Sequence, residues 1–257
     1  MLAEGLSMKK VKVGCCGFAK GMKHYFPQFR LVEVQKTFYK PPQVDTALRW
    51  RQEAPADFEF AIKAWQPITH PCSSPTYRKA GLNIPPGKGG DYGFFKPTEE
   101  VMEAWRKTRE IAEALRARVI VFQCPPSFRE EAQNLENMRR FFGAIERRFL
   151  FVWEPRGEWS ERVVKALCEE LELVHCVDPM EGEPLYGERR YFRLHGGPGY
   201  GHKYSDGELK WLCDRWGGEE AYFLFNNLSM YEDALRFERL LEGETGDLYL
   251  GNEQPQR

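Results

Sequence analysis

Eight short apolar runs, separated for the most part by helical patterns, constrain this chain more than any other feature. The runs begin VKVGCCGF at Val11, LVEVQKTF at Leu31, FEFAIKAW at Phe58 and VIVFQCP at Val119. They continue with LFVWEPR at Leu150, LELVHCVD at Leu171, YFRLHGG at Tyr191 and AYFLFNN at Ala221. Their richness in Val, Ile, Phe and Tyr is that of strands buried on both faces. Between them, Val101, Trp105, Thr108, Ala112 and Leu115 share one helical face, as do Leu135, Met138, Phe142 and Ile145. Strand–helix alternation implies a parallel sheet with right-handed crossovers. About eight such units in about 250 residues is the number that closes a TIM-type (β/α)8 barrel. An open doubly wound sheet would want a glycine-rich phosphate fingerprint early on, and GCCGF at Gly14 is not one. The fold expected is therefore α/β, a parallel (β/α)8 barrel.

Local signals refine this. Ser127 with Glu130, Ser205 with Glu208, and Ser229 with Glu232 have capping-box spacing, and Gly243 marks a helix stop. Two connections lack a regular helix pattern: residues 179–190, and residues 66–97, a long segment rich in Pro and Gly whose length points to a functional or a disordered loop. One barrel domain over 11–245 is expected, with tails at 1–10 and 246–257 and with Met8 as a second candidate start. A net charge of -1 gives no global attraction to nucleic acid or to an acidic membrane. Seven scattered cysteines, an odd number without a CxxC pair, argue for a reducing cytoplasm. No apolar run approaches the ~18 residues of a membrane span.

Barrel enzymes place chemistry at the C-terminal ends of their strands. There the runs turn polar: Glu33, Gln35 and Lys36 on the second, Lys63 on the third, Gln123 on the fourth, Glu154 and Arg156 on the fifth, Asp178 on the sixth, Arg193 and His195 on the seventh, Asn226 and Asn227 on the eighth. Unpaired buried charge costs several kcal/mol per group, so such a set must pair internally or meet a ligand. Taken one at a time, these residues fit a structural ion-pair network as well as a site. Their convergence from at least six runs favours a site.

Three chemistries fit. Glu154, Asp178 and His195 could ligate a divalent metal, similar to the Glu, Asp and His ligands of the xylose-isomerase-like barrels. The last strand offers Asn226 and Asn227 where those barrels have a carboxylate, and Arg156 and Arg193 would repel a cation, so a metal is not favoured. Acid/base work on a small polar or anionic ligand would use Glu154, Glu33, Asp178 and His195, with Lys63, Lys36, Gln123, Arg156, Arg193, Asn226 and Asn227 holding the ligand. A phosphate would then sit near the glycines after His195 and the helix start at Ser205. Nucleic-acid or protein binding without catalysis would use basic residues interleaved with aromatics: Lys20 to Tyr25, Tyr77 to Lys96, and Tyr200 to Tyr204. Cys15 or Cys16 as a nucleophile is outweighed by a buried wall cysteine. The leading expectation is a hydrolase or isomerase of a phosphorylated or sugar-like ligand.

The stretches VEVQKTFYKPP, FEFAIKAWQPITHP, FQCPPSF, YFRLHG and YFLFNN together resemble the YecE-like family, domain-of-unknown-function family 72. The resemblance runs from about Val11 to Leu241 and implies a TIM-type barrel without implying a reaction. Glu33, Lys63, Glu154, Arg156, Arg193, His195 and Asn227 keep the family's residue types. The chain departs from the family pattern at GCCGF in place of Gly-Thr-Ser-Gly-Trp, at Glu33-Val-Gln35-Lys36 in place of Glu-x-Asn-Ser, and at Glu154-Pro-Arg156-Gly157 in place of Glu-Phe-Arg-His.

Overall fold

The computed structural model describes residues 11–243; the tails expected at 1–10 and beyond 245, with Met8, lie outside them. Strands β1 (Val11–Cys15), β2 (Leu31–Val34), β3 (Glu59–Lys63), β4 (Val119–Gln123), β5 (Leu150–Glu154), β6 (Val174–Val177), β7 (Arg190–Leu194) and β8 (Ala221–Phe225) pair in parallel in chain order. β1 closes on β8 through Val11↔Ala221 to Cys15↔Phe225. Helices α1 (Met22–Tyr25), α2 (Lys36–Tyr39), α3 (Val44–Glu53), α4 (Pro75–Ala80), α5 (Glu99–Leu115), α6 (Ala132–Ala144), α7 (Glu161–Glu170), α8 (Asp206–Trp216) and α9 (Met230–Leu241) fill the connections. β6 runs into β7 without a helix, as expected for 179–190.

Side chains alternate across the wall. Phe60, Ile62, Ile120, Phe122, Phe151, Trp153, Phe192 and Phe223 belong to the large cluster under the helices. Their neighbours Leu31, Ala61, Val119, Val121, Val152, Cys176, Tyr191 and Leu224 fill the barrel's interior. Both faces are thus apolar mid-strand, which is why the runs read as continuous. β1 approaches β2 so closely that a Cβ on Gly14 would lie 2.2 Å from the Leu31 carbonyl oxygen, so glycine is required there.

Of the three capping boxes, Ser205–Glu208 forms, at the start of α8. α6 instead begins at Ala132 after Glu131, and the Glu130 carboxylate reaches across to accept from Ser160 N and Oγ at 2.7 Å each, ahead of α7. Ser229 precedes α9 at φ -94°, ψ 19°, outside the extended conformation a side-chain cap needs, and Glu232 pairs with Lys20. Gly243, at φ 76°, sits where the expected stop lies.

Residues 66–97 form a folded strap. It contains α4, whose N-cap Ser74 accepts from Thr76 N, and a 3-10 turn over Gly89–Asp91. Phe94 and Phe95 adopt φ 57° and 53°, unusual for bulky residues. The conformation drives Phe95, fully buried, into the rings of Phe122, Phe141 and Phe142. Among the described residues no helix is long and apolar enough to cross a membrane.

Candidate functional site at the mouth of the barrel

The inward faces of β2, β3, β5 and β7 end in Glu33, Lys63, Glu154 and Arg193, all buried. Arg193, 1% exposed, is the hub. Its Nη1 donates to Glu154 Oε2, its Nη2 lies 3.1 Å from Glu33 Oε1, and Nη2 also contacts Cys16 Sγ at 3.6 Å. Tyr191, two residues back on the same face, donates to Glu33 Oε2 at 2.9 Å, and Gln35 donates to Glu33 Oε1. Burial alone would lower Arg193, but Glu154 and Glu33 hold it well above its ordinary value. Burial alone would raise Glu154, but Arg193, His195 and Arg156 hold it well below the usual carboxylate range.

His195 continues the inward face of β7 beyond Arg193. Asp178 Oδ2 accepts from His195 N at 2.8 Å and faces Nδ1 at 3.4 Å; its Oδ1 accepts from Met180 N. Asp178 therefore fixes both the backbone and the ring of His195. On the far side, Nε2 lies 3.3 Å from Glu154 Oε1 and also touches Arg156 Nη2. The two contacts belong to different protonation states. A proton on Nε2 points to Glu154, whereas a bare Nε2 accepts from Arg156. Burial opposes a charged ring, but Asp178 and Glu154 outweigh it and raise His195 above its ordinary value. Arg156 donates from Nε to Glu154 Oε1 at 2.7 Å, and its side chain stays 32% exposed, with Nη1 unused among the described residues.

Lys63 differs from all of these. It is 7% exposed, and its Nζ makes no hydrogen bond or ion pair among the described residues; it rests 3.8 Å from the centre of the Phe38 ring. Burial, and then Arg193, lower it to about 7. His70, a strap residue that sequence reasoning missed because nothing marks it within a polar loop, packs against Phe38 in a T-shaped contact at 4.8 Å. His70 Nδ1 bonds Thr69 Oγ1 at 2.8 Å, and burial, with Lys63 nearby, lowers it to about 3.

The remaining expected site residues fall elsewhere. Gln123 and Asn226 sit half-buried at the ends of β4 and β8. Asn227 turns away from the barrel axis and donates to His202 O at 2.8 Å and to Asp233 Oδ2 at 2.7 Å, stapling the β7 loop to α9. Lys36 opens α2 and is exposed. Gly196, at φ 70°, packs so tightly that a Cβ would lie 2.6 Å from Asn227 Cβ, and its N–H bonds Tyr204 Oη. The turn after His195 thus needs glycine for conformation and for space. At Gly157, where the family pattern has histidine, a Cβ would lie 2.2 Å from Phe128 O.

Several expectations meet different geometry. The start of α8 carries Asp206 and Glu208 in its first turn, and Glu208 closes the capping box, so carboxylates stand where a phosphate was expected. Tyr25, Tyr77 and Tyr204, three of the rings expected to stack on bases, are buried in the core; Tyr200 is 44% exposed. Each oxygen of Asp178 accepts a backbone N–H, and both oxygens of Glu154 face guanidinium groups whose positive charge opposes a cation beside His195. No group of three or more metal-ligating side chains occurs among the described residues. Burial raises Cys16 well above its ordinary value, with Glu33 adding to it, which leaves it an inert wall thiol.

A cavity of about 1140 Å³ lies at the opposite end of the barrel, lined by Lys12, Arg51, Glu59 and Arg118 among others. It holds none of the groups described above.

The family described as "Protein of unknown function DUF72" matches residues 16–257. A DUF72 family protein of Thermotoga maritima shares 23% identity and a TM-score of 0.67, covering 90% of this chain and 99% of its own. One from Enterococcus faecalis shares 18% identity and a TM-score of 0.69, covering 90% and 97%. Endonuclease IV from Thermus thermophilus shares the fold at 12% identity and a TM-score of 0.53, covering 91% and 97%. No curated protein matches the chain.

Proposed function

The chain belongs to the DUF72 family, and from that premise and the geometry of the mouth we propose that it is a small-ligand enzyme working by acid/base chemistry on a polar, anionic ligand. The observation that carries the proposal is His195, set between the Asp178 and Glu154 carboxylates and beside a half-exposed arginine. An imidazole raised in this way holds its proton to higher pH than a free one and can give it up from Nε2. Arg156 Nη2 then donates to the bare nitrogen, so both states of the acid have a partner. Asp178 is a positioning residue. Glu154, held well below the usual carboxylate range, acts as a fixed negative charge rather than as a base.

The ligand's anionic group belongs on Arg156, whose side chain is 32% exposed with Nη1 unused among the described residues, and not on Arg193, which is enclosed by Glu33 and Glu154. Sugar phosphates and small carboxylates are the class to examine. Calorimetry against a panel of both is expected to give at least one binder whose affinity falls more than tenfold in Arg156→Ala while the thermal midpoint moves by only a few degrees. A binder with unchanged affinity in that variant, or a panel without binders, would contradict the proposal.

A further inference from the structure

The mouth holds a second reactive group that acid/base chemistry leaves unused. Lys63 ends β3 on the same inward face as Ala61, so its stem enters the barrel beside the Arg193 hub. An ammonium buried to 93% ordinarily demands a carboxylate, and two stand nearby. Neither is available. Glu33 is taken by Arg193, Tyr191 and Gln35, and Glu154 by Arg193 and Arg156. The Phe38 ring face and an uncharged His70 complete the surroundings. A buried group without an ion pair among the described residues, with Arg193 as its neighbouring cation, is an amine able to lose its proton, and burial with Arg193 brings it to about 7.

We propose that Lys63 is a carbonyl-capturing amine, and that the ligand of the mouth carries an aldehyde or ketone which forms an imine with Nζ. The inference rests on the reading of the mouth as a small-ligand site and adds the substrate class. The neutral amine's lone pair attacks the carbonyl carbon as the C=O π pair moves to oxygen. One proton passes from nitrogen to oxygen to give the carbinolamine; its hydroxyl takes a second proton and leaves as water while the nitrogen lone pair forms C=N, and loss of the last nitrogen proton leaves the imine. The acid assigned to supply the second proton is His195. No oxidant or reductant enters, and water reverses the step.

The test is reductive trapping. The full-length protein is incubated at pH 7 with dihydroxyacetone, with glyceraldehyde 3-phosphate or with pyruvate, each with sodium cyanoborohydride, and adducts are mapped by peptide mass spectrometry. The expected result is one adduct at Lys63 forming at least tenfold faster than at any exposed lysine. It should be absent in Lys63→Arg, which keeps the charge, and in Lys63→Met. Labelling spread over exposed lysines with Lys63 unmodified would overturn the inference, even where calorimetry still shows anion binding to Arg156. Conversely, trapping of uncharged dihydroxyacetone at Lys63 that survives Arg156→Ala would sustain the inference while the anionic part of the proposed function fell.

Discussion

The two ends of the barrel solve the same problem in opposite ways. At the N-terminal end, Glu59 is enclosed by Lys12, which pairs with its Oε2, and by Tyr222, which donates to Oε1 at 2.7 Å. One cation, one anion and one phenol pair with one another there, and each has its partner. At the mouth, the carboxylates of Glu33 and Glu154 meet the guanidiniums of Arg193 and Arg156, Asp178 holds His195, and His195 and Lys63 can carry charge or not. Among the described residues Arg193 Nε has no partner and Lys63 no counter-ion, and His195 Nε2 has two alternatives. A plug that only stabilises needs none of that surplus. The contrast separates a structural ion pair from a site more sharply than burial does, since both ends are buried.

Removing the hub should have the largest effect. Arg193→Met leaves Glu33 and Glu154 buried without their guanidinium, and breaking a buried pair this way costs about 3–5 kcal/mol. A fall in thermal midpoint of about 10 °C or more, or failure to fold, is expected by calorimetry. A fall as small as that of Lys12→Met would erase the distinction between the two ends.

The next effect is pH-dependent and of opposite sign. Lys63 is lowered to about 7 when folded, so between about pH 7 and its unfolded value of about 10.4 the unfolded chain binds the extra proton and stability rises with pH. Lys63→Met removes a penalty that is complete below pH 7. The variant should be more stable than the parent at pH 6, with its advantage shrinking steadily toward pH 10. His195, raised when folded, works the other way: its contribution is present below about pH 6.5 and is lost as pH rises through the folded value. A Lys63→Met variant with the parent's pH profile would show that the amine is an ordinary charged lysine.

The smallest effect should come from the N-terminal plug. Lys12 is 28% exposed, and Tyr222 remains on Glu59, so Lys12→Met should cost about 1 kcal/mol in urea unfolding. A loss comparable with that of Arg193→Met would mean that the plug, and not the mouth, carries the barrel's electrostatic stability.

How much of this could be read in the sequence follows from where the physics is local. The barrel was legible because parallel strands buried on both faces read as unbroken apolar runs, and eight of them recur with helical stripes between. The alternation that places Arg193 with His195, and Glu154 with Arg156, on one face follows from the strand period alone. The partners do not follow from it. The spacing of Lys12 and Glu59 shows no more than a polar residue near a strand start, and their pairing spans 47 residues. Asn226 and Asn227 look equivalent, yet one faces the barrel and the other staples a loop. The Ser127–Glu130 spacing satisfies the capping-box rule, but Ser160, brought near by the fold, competes successfully for Glu130. His70 lies in a strap whose course depends on two phenylalanines in a rare backbone conformation, which no periodicity announces.

The most direct test is an NMR titration of the His195 imidazole in the parent protein and in Asp178→Asn, with His195→Asn for assignment. His70 and His175, held near 3 and 4 by burial, stay neutral through the range. The account predicts a midpoint for His195 above the ordinary value of about 6.5 in the parent, moving down when Asp178 is neutralised. A parent midpoint below 6.5, or one indifferent to Asp178, would mean that the mouth holds a neutral structural histidine and no proton donor.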